Sequence, residues 1–475
     1  MTSAGLATTP APHPVDEVLP APRLVVYGIQ HVLAFYAGAV IVPILLANAI
    51  KLDTAQLIHL INADLFTCGI ASIIQSVGFW KVGVRLPLIQ GVTFTAVSPM
   101  IAIGLAAGGG TQGLVTIYGS VIVAGLFTFL IAPYFSRLIR YFPPVVTGSV
   151  ITIIGVALLP VAANDAITAM PDPARNFAQI GVPAAQIELK SLLYATGTLL
   201  SIVLLQRLFK GFISTIAVLL GLVGGTTVAF LLGDARFEEV SGAAWVGVTT
   251  PFHFGVPAFS ITAILSMILV MLITAVETTG DVFATGEIVG KDIESQDIAR
   301  ALRADGLSTA IGGVLNSFPY TCFAENVGLV RLTKVKSRWV VASAGVVMIV
   351  LGLLPKAGAL VAGIPHPVLG GAALAMFATV AVVGIQTLTR VDFTDDRNIV
   401  IVATSLALAM LVTVQPNIQY LFPGWAQIIF GSGITLGSLC AIVLNLVFHH
   451  TGHPHTPEEA IADATARSHE SAPGA

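Results

Sequence analysis

The chain has 475 residues, of which 55% are hydrophobic and 10% charged, with a mean hydropathy of +0.90. Apolar stretches of roughly 18 to 25 residues, the length a helix needs to cross a bilayer, recur along it, so the class expected is an all-α polytopic membrane protein. A net charge of −3 and a pI near 6.4 leave no basic surface to neutralise phosphates, which excludes a nucleic-acid partner.

The first 22 residues are rich in Pro and Ala, carry Asp16 and Glu17, and lack a basic n-region or a small-residue cleavage site. Residues 1–22 therefore read as a cytoplasmic leader and not a signal peptide. From Arg23 onwards, hydropathy predicts about fourteen spans, at about 23–50, 57–79, 86–105, 112–132, 143–163, 189–206, 212–233, 260–285, 304–316, 325–334, 338–355, 365–387, 397–414 and 426–448. The remainder, 449–475, is a polar tail whose His449, His450, His453 and His455 read as solvated groups, not metal ligands. Cys68, Cys322 and Cys440 lie far apart in apolar surroundings and point to neither a disulfide framework nor a metal cluster.

Charge orients these spans. The even-numbered turns hold Lys81 and Arg85, Arg137 and Arg140, Arg207 and Lys210, Lys291 with Arg300 and Arg303, Lys334 with Lys336 and Arg338, and Arg390 with Arg397. The odd-numbered turns hold only Lys51, Arg175, Lys190, Arg236 and Lys356. The positive-inside rule then puts both termini in the cytoplasm and favours an even number of spans in the plasma membrane.

Several spans are too short or too rich in Gly and Pro to cross alone. The third runs LPLIQGVTFTAVSPM, with β-branched and aromatic residues on both sides of Thr93, and the ninth and tenth are broken by SFPYTCFA. Non-helical backbone survives at membrane depth only where it is buried in protein or lines a cavity, so these two segments should face each other at a site. The halves also echo one another: PPVVTGSVI at Pro143 to Ile151 resembles HPVLGGAAL at His366 to Leu374, about 223 residues on. A pair of interrupted segments at a similar offset points to an inverted seven-plus-seven repeat and hence to a transporter.

Charged groups inside a span cost several kcal/mol each and are functional candidates by default. Glu277 and Asp281 are four apart, on one helical face, with Gly280 between them expected to admit a neighbouring backbone. The alternative is that both cap or brace a helix end near the cytoplasm, which suits Asp281 better than the deeper Glu277. Gln30 and His31 sit in the otherwise apolar first span, where a histidine also serves simply to bond one helix to another. Glu325 and Asn326 open a half-helix whose free N–H groups favour a polar or anionic ligand, or they merely cap it. With Phe94 and Phe323 on the broken segments, this inventory suits a planar heteroaromatic ring: carboxylates and amides read ring N–H and C=O groups, and a Phe face stacks. No Lys or Arg is among these residues, so nothing favours a strongly anionic substrate. A carboxylate held away from water exchanges its proton within the working pH range, so Glu277 suits proton-coupled uptake.

These residues resemble the nucleobase-ascorbate transporter family, also called nucleobase:cation symporter family 2. ENVGLVRLTK matches its signature through Glu325, Asn326, Gly328, Thr333 and Lys334, ETTGD matches its eighth-span motif through Glu277, Gly280 and Asp281, and Gln30-His31 matches its first-span Gln-His. The resemblance runs from about Val26 to Val447. It implies fourteen spans in a seven-plus-seven inverted repeat, with a core domain (spans 1–4 and 8–11, about 23–132 and 260–355) moving like an elevator against a gate domain (spans 5–7 and 12–14, about 143–233 and 365–448). It also implies a homodimer and short strands in spans 3 and 10 at the substrate site. By the same resemblance Glu277 and Glu325 hydrogen-bond the base, and the backbone near Phe94 and Ala324 adds contacts. Phe94 stacks on the ring beside Phe323 and Thr93, while Asn326, Asp281, His31, Gln30 and Gln90 hold the site and couple the proton. No cofactor is implied beyond the coupling ion, H⁺, with Na⁺ as an alternative.

The context NSFPYTCFAENVGLVRLT and LPLIQGVTFTAV looks most like bacterial xanthine and uric acid permeases. Those carriers normally have Gln where this chain has Glu325, and Glu there is typical of uracil carriers. A Gln amide donates and accepts, an ionised Glu only accepts, and a protonated Glu325 recovers both capacities. A purine is therefore the main expectation and uracil the alternative. An anion transporter of the same broad fold fits less well because its site would want cations, and a membrane enzyme would need a nucleophile with a base, or clustered metal ligands.

Overall fold

The computed structural model describes residues 13–138, 141–167, 189–235 and 237–450. Arg140, Arg175, Arg236, His453 and His455, with the rest of the tail and the first 12 residues of the leader, lie outside the described residues.

In chain order the elements are α1 (Ala21–Ile50), α2 (Thr54–Val77), β1 (Gln90–Val92), α3 (Val97–Ala106), α4 (Gly110–Leu138), α5 (Pro144–Ile167), α6 (Leu189–Leu208), α7 (Phe212–Thr215), α8 (Ala217–Leu231), α9 (Glu238–Gly242) and α10 (Ile261–Val289). They continue with α11 (Ser295–Val314), β2 (Tyr320–Cys322), α12 (Ala324–Thr333), α13 (Arg338–Gly352), α14 (Pro355–Ala362), α15 (His366–Leu388), α16 (Asp396–Val414), α17 (Gly424–Phe430) and α18 (Gly433–His450). Among the described residues, nine helices are long and apolar enough to cross a membrane, or ten when α13 and α14, bent by 81°, count as one. The protein is thus a mostly helical, multi-pass membrane protein.

Local chemistry explains where the helices begin and where they differ from the hydropathy pattern. Asp53 and Gln56 close a reciprocal capping box that starts α2, and Glu294 with Asp297 does the same for α11. The second box starts α11 at Ser295, well before the stretch near 304 where hydropathy rises, because SQDIARALRA is helical but polar. Pro355 opens α14 and ends the straight run of α13, so the predicted continuous span at 338–355 is a bent pair. The predicted span 426–448 is likewise split, into α17 and α18 at Gly431 and Ser432, and α18 runs on to His450. His449 there bonds Asn398 at 3.2 Å, so neither it nor His450 belongs to a free tail.

Part of the leader is folded against the helices. A 3-10 turn at Pro14–Asp16 buries Val15, and Asp16 pairs with Arg338 at 2.7 Å. The same guanidinium donates to the carbonyls of Ser76 and Val77, while Arg303 reaches the carbonyl of Lys81. The basic residues of three predicted even-numbered turns therefore gather at one end of the molecule.

With lipid as apolar as a Leu side chain, helices in a membrane associate through close packing, which small residues allow. α2 packs along α13 and α4 along α11. At the first crossing Gly69 and Gly345 stand face to face, and a Cβ on Gly345 would lie 2.8 Å from the Gly69 carbonyl oxygen. At the second, a Cβ on Gly125 would lie 2.5 Å from the Ala310 nitrogen. These crossings fix the frame around both strands. Gly125→Leu is expected to destabilise the fold by about 1–3 kcal/mol or more, as overpacking does. Gly197→Leu, whose Cβ meets nothing within 4 Å, is expected to be neutral. Thermal unfolding of the detergent-solubilised proteins checks this, and equal losses in the two variants would show that the crossing is not tight.

Candidate functional site

The two interrupted segments meet. β1 and β2 pair antiparallel, with Gln90 opposite Cys322, Gly91 opposite Thr321 and Val92 opposite Tyr320. Backbone bonds extend the ribbon at both ends, from Thr93 N–H to the Pro319 carbonyl at 3.0 Å and from Phe323 N–H to the Ile89 carbonyl at 3.1 Å. Each strand then runs into a helix: Thr93 leads through a 3-10 turn at Phe94–Ala96 into α3, and Phe323 is the N-cap of α12. The N–H groups of Thr95, Ala96 and Val97 are bonded within the turn, to Thr93 Oγ1 and to the Thr93 and Phe94 carbonyls, and that of Asn326 is bonded to the Phe323 carbonyl. The first N–H of each segment, at Phe94 and Ala324, has no such bond assigned among the described residues and is the one that can meet a polar ligand.

Because side chains alternate along a strand, the ribbon has two faces. On one, the missing side chain of Gly91 makes room for Phe35 of α1 and Phe323, whose rings meet edge to face at 4.8 Å. Phe94 lies 5.7 Å from Phe323 and 5.5 Å from Phe377 of α15, so four aromatic rings wall this side. Phe323 is buried, whereas Phe94 is half-buried with part of its surface open. Thr93 is buried, and its hydroxyl accepts the Thr95 N–H.

The carboxylates approach from α10 and α12. Glu277 is half-buried and accepts a 2.8 Å hydrogen bond from the Thr95 hydroxyl, which ties it to the turn after β1. Glu325 and its neighbour Ala324, at the start of α12, are solvent-accessible, in contrast to the buried Phe323 before them and Asn326 after them. Asp281, half-buried one turn beyond Glu277, lies within electrostatic reach of Glu277, Glu325 and Asp305. Gly280 does not serve as expected: a Cβ there would meet nothing within 4 Å, and the residue is exposed, so no neighbouring backbone approaches it.

Asn326 and His31 play a different part from the residues that line the cleft. Asn326 is fully buried, and its amide donates to the His31 carbonyl and to His31 Nδ1, both at 3.1 Å. It therefore braces α12 against α1 and does not present its amide to the cleft. Acceptance at Nδ1 places the proton of the neutral imidazole on Nε2. Gln30, next to His31, is half-buried and has no side-chain hydrogen bond assigned among the described residues.

Behind the ribbon sits a group that sequence reasoning passed over. Gln90 points away from the Gly91 face and donates at 2.7 Å to Asp305 of α11, which also accepts from Gln75 at 3.3 Å and from the Thr278 hydroxyl at 2.5 Å. Asp305 and a second buried acid, Asp64 of α2, each occupy a helix interior. The rule that singled out Glu277 applies equally to both. Asp305 was hidden by the polar start of its helix, and Asp64 by the absence of any neighbouring motif. No group of three or more His, Cys, Asp and Glu suited to a metal ion occurs among the described residues.

Two cavities, of about 320 and 340 Å³, lie away from this cleft, one between α1, α8 and α14 and the other at the ends of α5 and α18. The first is almost wholly apolar and the second has no carboxylate pair, so neither rivals the ribbon as a site for a polar ring.

Comparison with known proteins agrees with this geometry. The uric acid permease PucK of Bacillus subtilis (strain 168) is 42% identical over 439 residues, covering 92% of this chain and 97% of its own. The xanthine permease of the same organism is 42% identical over 422 residues, covering 89% and 93%, and the uric acid transporter UacT of Escherichia coli (strain K12) is 42% identical over 452 residues, covering 94% and 91%. Among solved structures, the transmembrane domain of the cyanobacterium bicarbonate transporter BicA superposes with a TM-score of 0.61 over 91% of this chain and 100% of its own, at 15% identity. Murine Slc26a9, an anion transporter, gives 0.60 over 90% and 68% at 13% identity, and at such identities the likeness is one of fold alone. Residues 22–418 match the family model described as "Permease family", and the chain belongs to that family, the nucleobase-ascorbate transporters, as a transporter and not an enzyme.

Proposed function

We propose that this protein imports a purine nucleobase, xanthine or uric acid, by proton-coupled symport across the plasma membrane. The observation that carries the reading is how the paired strands place their neighbours: Glu277 is bonded to Thr95, next to the partly open Phe94, and Glu325 opens α12 two residues after Phe323, whose ring lies 5.7 Å from that of Phe94. A purine dione offers ring N–H groups to the carboxylates, C=O groups to the helix N–H ends, and a π face to Phe94. Relatives called uric acid and xanthine permeases, 42% identical over most of this chain, supply the substrate class. Glu277, whose bonding partner is a hydroxyl and not a cation, is the natural carrier of the coupling proton.

The same reading takes the architecture to fourteen spans in an inverted seven-plus-seven repeat. The ten long spans are joined by α3 and α12, which are short because they start at the ribbon, by α11, whose first turns are polar, and by α8, an apolar helix of 15 residues. Support comes from the packing pattern: α2 on α13 matches α11 on α4, α1 on α13 matches α10 on α4, and α5 packs along α15 across the axis. A core of α1–α4 and α10–α13 with the ribbon would move against a gate of α5–α8 and α15–α18, working as a homodimer with both termini in the cytoplasm. Phe94 on Phe377 and the 3.2 Å contact of Ser98 with Ser432 are then where core meets gate across the cleft.

Uracil stays as a second reading because Glu325 itself favours it. In cells lacking their own nucleobase carriers, labelled xanthine or uric acid is expected to accumulate and uracil is not. Glu325→Gln should retain purine uptake; uracil uptake abolished by that change would move the protein to the pyrimidine carriers. Glu277→Gln should weaken purine affinity by roughly tenfold or more, the worth of one charged hydrogen bond. It should also remove the stimulation of uptake by external acidification, which drives import through a proton symporter. Uptake that responds to a Na⁺ gradient and ignores a protonophore would replace H⁺ as the coupling ion.

A further inference from the structure

An isolated two-stranded ribbon is marginally stable at best, and here each strand has three residues. Yet its register places Phe94 after one strand and Phe323 to Glu325 after the other. At the Gln90–Cys322 end, the ribbon is held by Asp305 through Gln90. At the Val92–Tyr320 end, the corresponding group is Asp64.

Asp64 lies in the middle of α2 and is 1% exposed. Its Oδ1 accepts from the Ser317 hydroxyl at 2.8 Å, from the Tyr320 hydroxyl at 3.2 Å and from the Cys68 thiol at 3.7 Å. The Ser317 and Tyr320 oxygens also lie 2.7 Å apart, so the two hydroxyl protons are shared among the three contacts of a triangle with the acid. Tyr320 is fully buried, and its backbone N–H donates to Thr309 Oγ1 at 3.0 Å, a second tie on the strand at that end. The carboxylate neither touches the cleft nor faces a cation among the described residues. Its work is done through β2.

We propose that Asp64 is a positioning residue for the substrate: by holding Tyr320 and Ser317 it fixes the far end of β2 and, through it, Phe323, Ala324 and Glu325. The consequence for uptake rests on the nucleobase reading above, but the mechanical claim does not. Two measurements therefore separate them. Hydrogen exchange on the purified protein reads the frame without ligand. Asp64→Ala and the double variant Ser317→Ala/Tyr320→Phe should speed exchange in residues 317–326 by tenfold or more and leave α5 and α15 unchanged, while Asp64→Asn, which keeps an acceptor oxygen, should stay near the parent. In uptake, Asp64→Ala should raise the KM for the transported base by about tenfold with little change in Vmax per transporter, and adding the Ser317 and Tyr320 changes should add no more than about twofold, as groups acting through one network do. If Asp64→Ala fails to reach the membrane, Tyr320→Phe, which removes only a hydroxyl, carries the same test. Unchanged exchange in 317–326, or a fall in Vmax with KM untouched, would overturn the proposal. Absence of uptake by the parent chain would instead count against the nucleobase reading, with the exchange result still deciding the role of Asp64.

Discussion

The constraint on which the rest of the structure depends is the cost of unpaired backbone in a membrane. A helix satisfies its own N–H and C=O groups, and a short extended segment does not. Gln90–Val92 and Tyr320–Cys322 escape that cost only by pairing with each other, which obliges two segments about 230 residues apart in sequence to meet at the centre of the bundle. Once they meet, the helices that follow must start there, and their free N–H groups come with them. The polar site is thus a by-product of satisfying the ribbon.

The helix packing serves the same end. Close crossings at Gly69 with Gly345 and at Gly125 with Gly306 draw α2 to α13 and α4 to α11, and so bring the helices that carry Asp64 and Asp305 against the ribbon's back. Phe35, Phe94, Phe323 and Phe377 cover its front. Polar groups of opposite duty are sorted by face: Gln90 points back to Asp305, while Glu277 is tied by Thr95 to the turn at the front.

Much of this was legible in the sequence because the signals were local. SFPYTCFA before Glu325 announced extended backbone where β2 lies. The β-branched and aromatic residues from Thr93 onwards suggested a strand that falls just before them, at Gln90–Val92, because Phe94–Ala96 turns into a 3-10 helix leading to α3. The isolated Glu277 stood out as an acid inside a span. What stayed hidden depended on contacts between distant segments. Nothing local says that Asn326 turns inward to His31, or that Gly280 faces open space while Gly125 touches a neighbouring backbone. Nor does hydropathy show that α11 begins at Ser295, since a capping box and a polar first turn outweigh it. Asp64 and Asp305 were visible as intramembrane acids but carried no motif, and their importance emerges only from the bonds they accept.

Those bonds have a crosswise logic. Asp64 belongs to α2, in the first half of the chain, and holds β2, in the second; Asp305 belongs to α11, in the second half, and holds Gln90 of β1, in the first. If each acid held the strand of its own half, the two strands themselves would be joined by little more than the ribbon's few backbone bonds. Crossing the clamps makes any slip of one half break both a carboxylate network and the strand pairing together. A buried carboxylate is a costly way to hold a strand, because removing either partner leaves an unsatisfied polar group out of water. That same cost makes the clamp stiff, and a stiff frame keeps the turn bonded to Glu277 and the start of α12, which carries Glu325, in a fixed relation to one another.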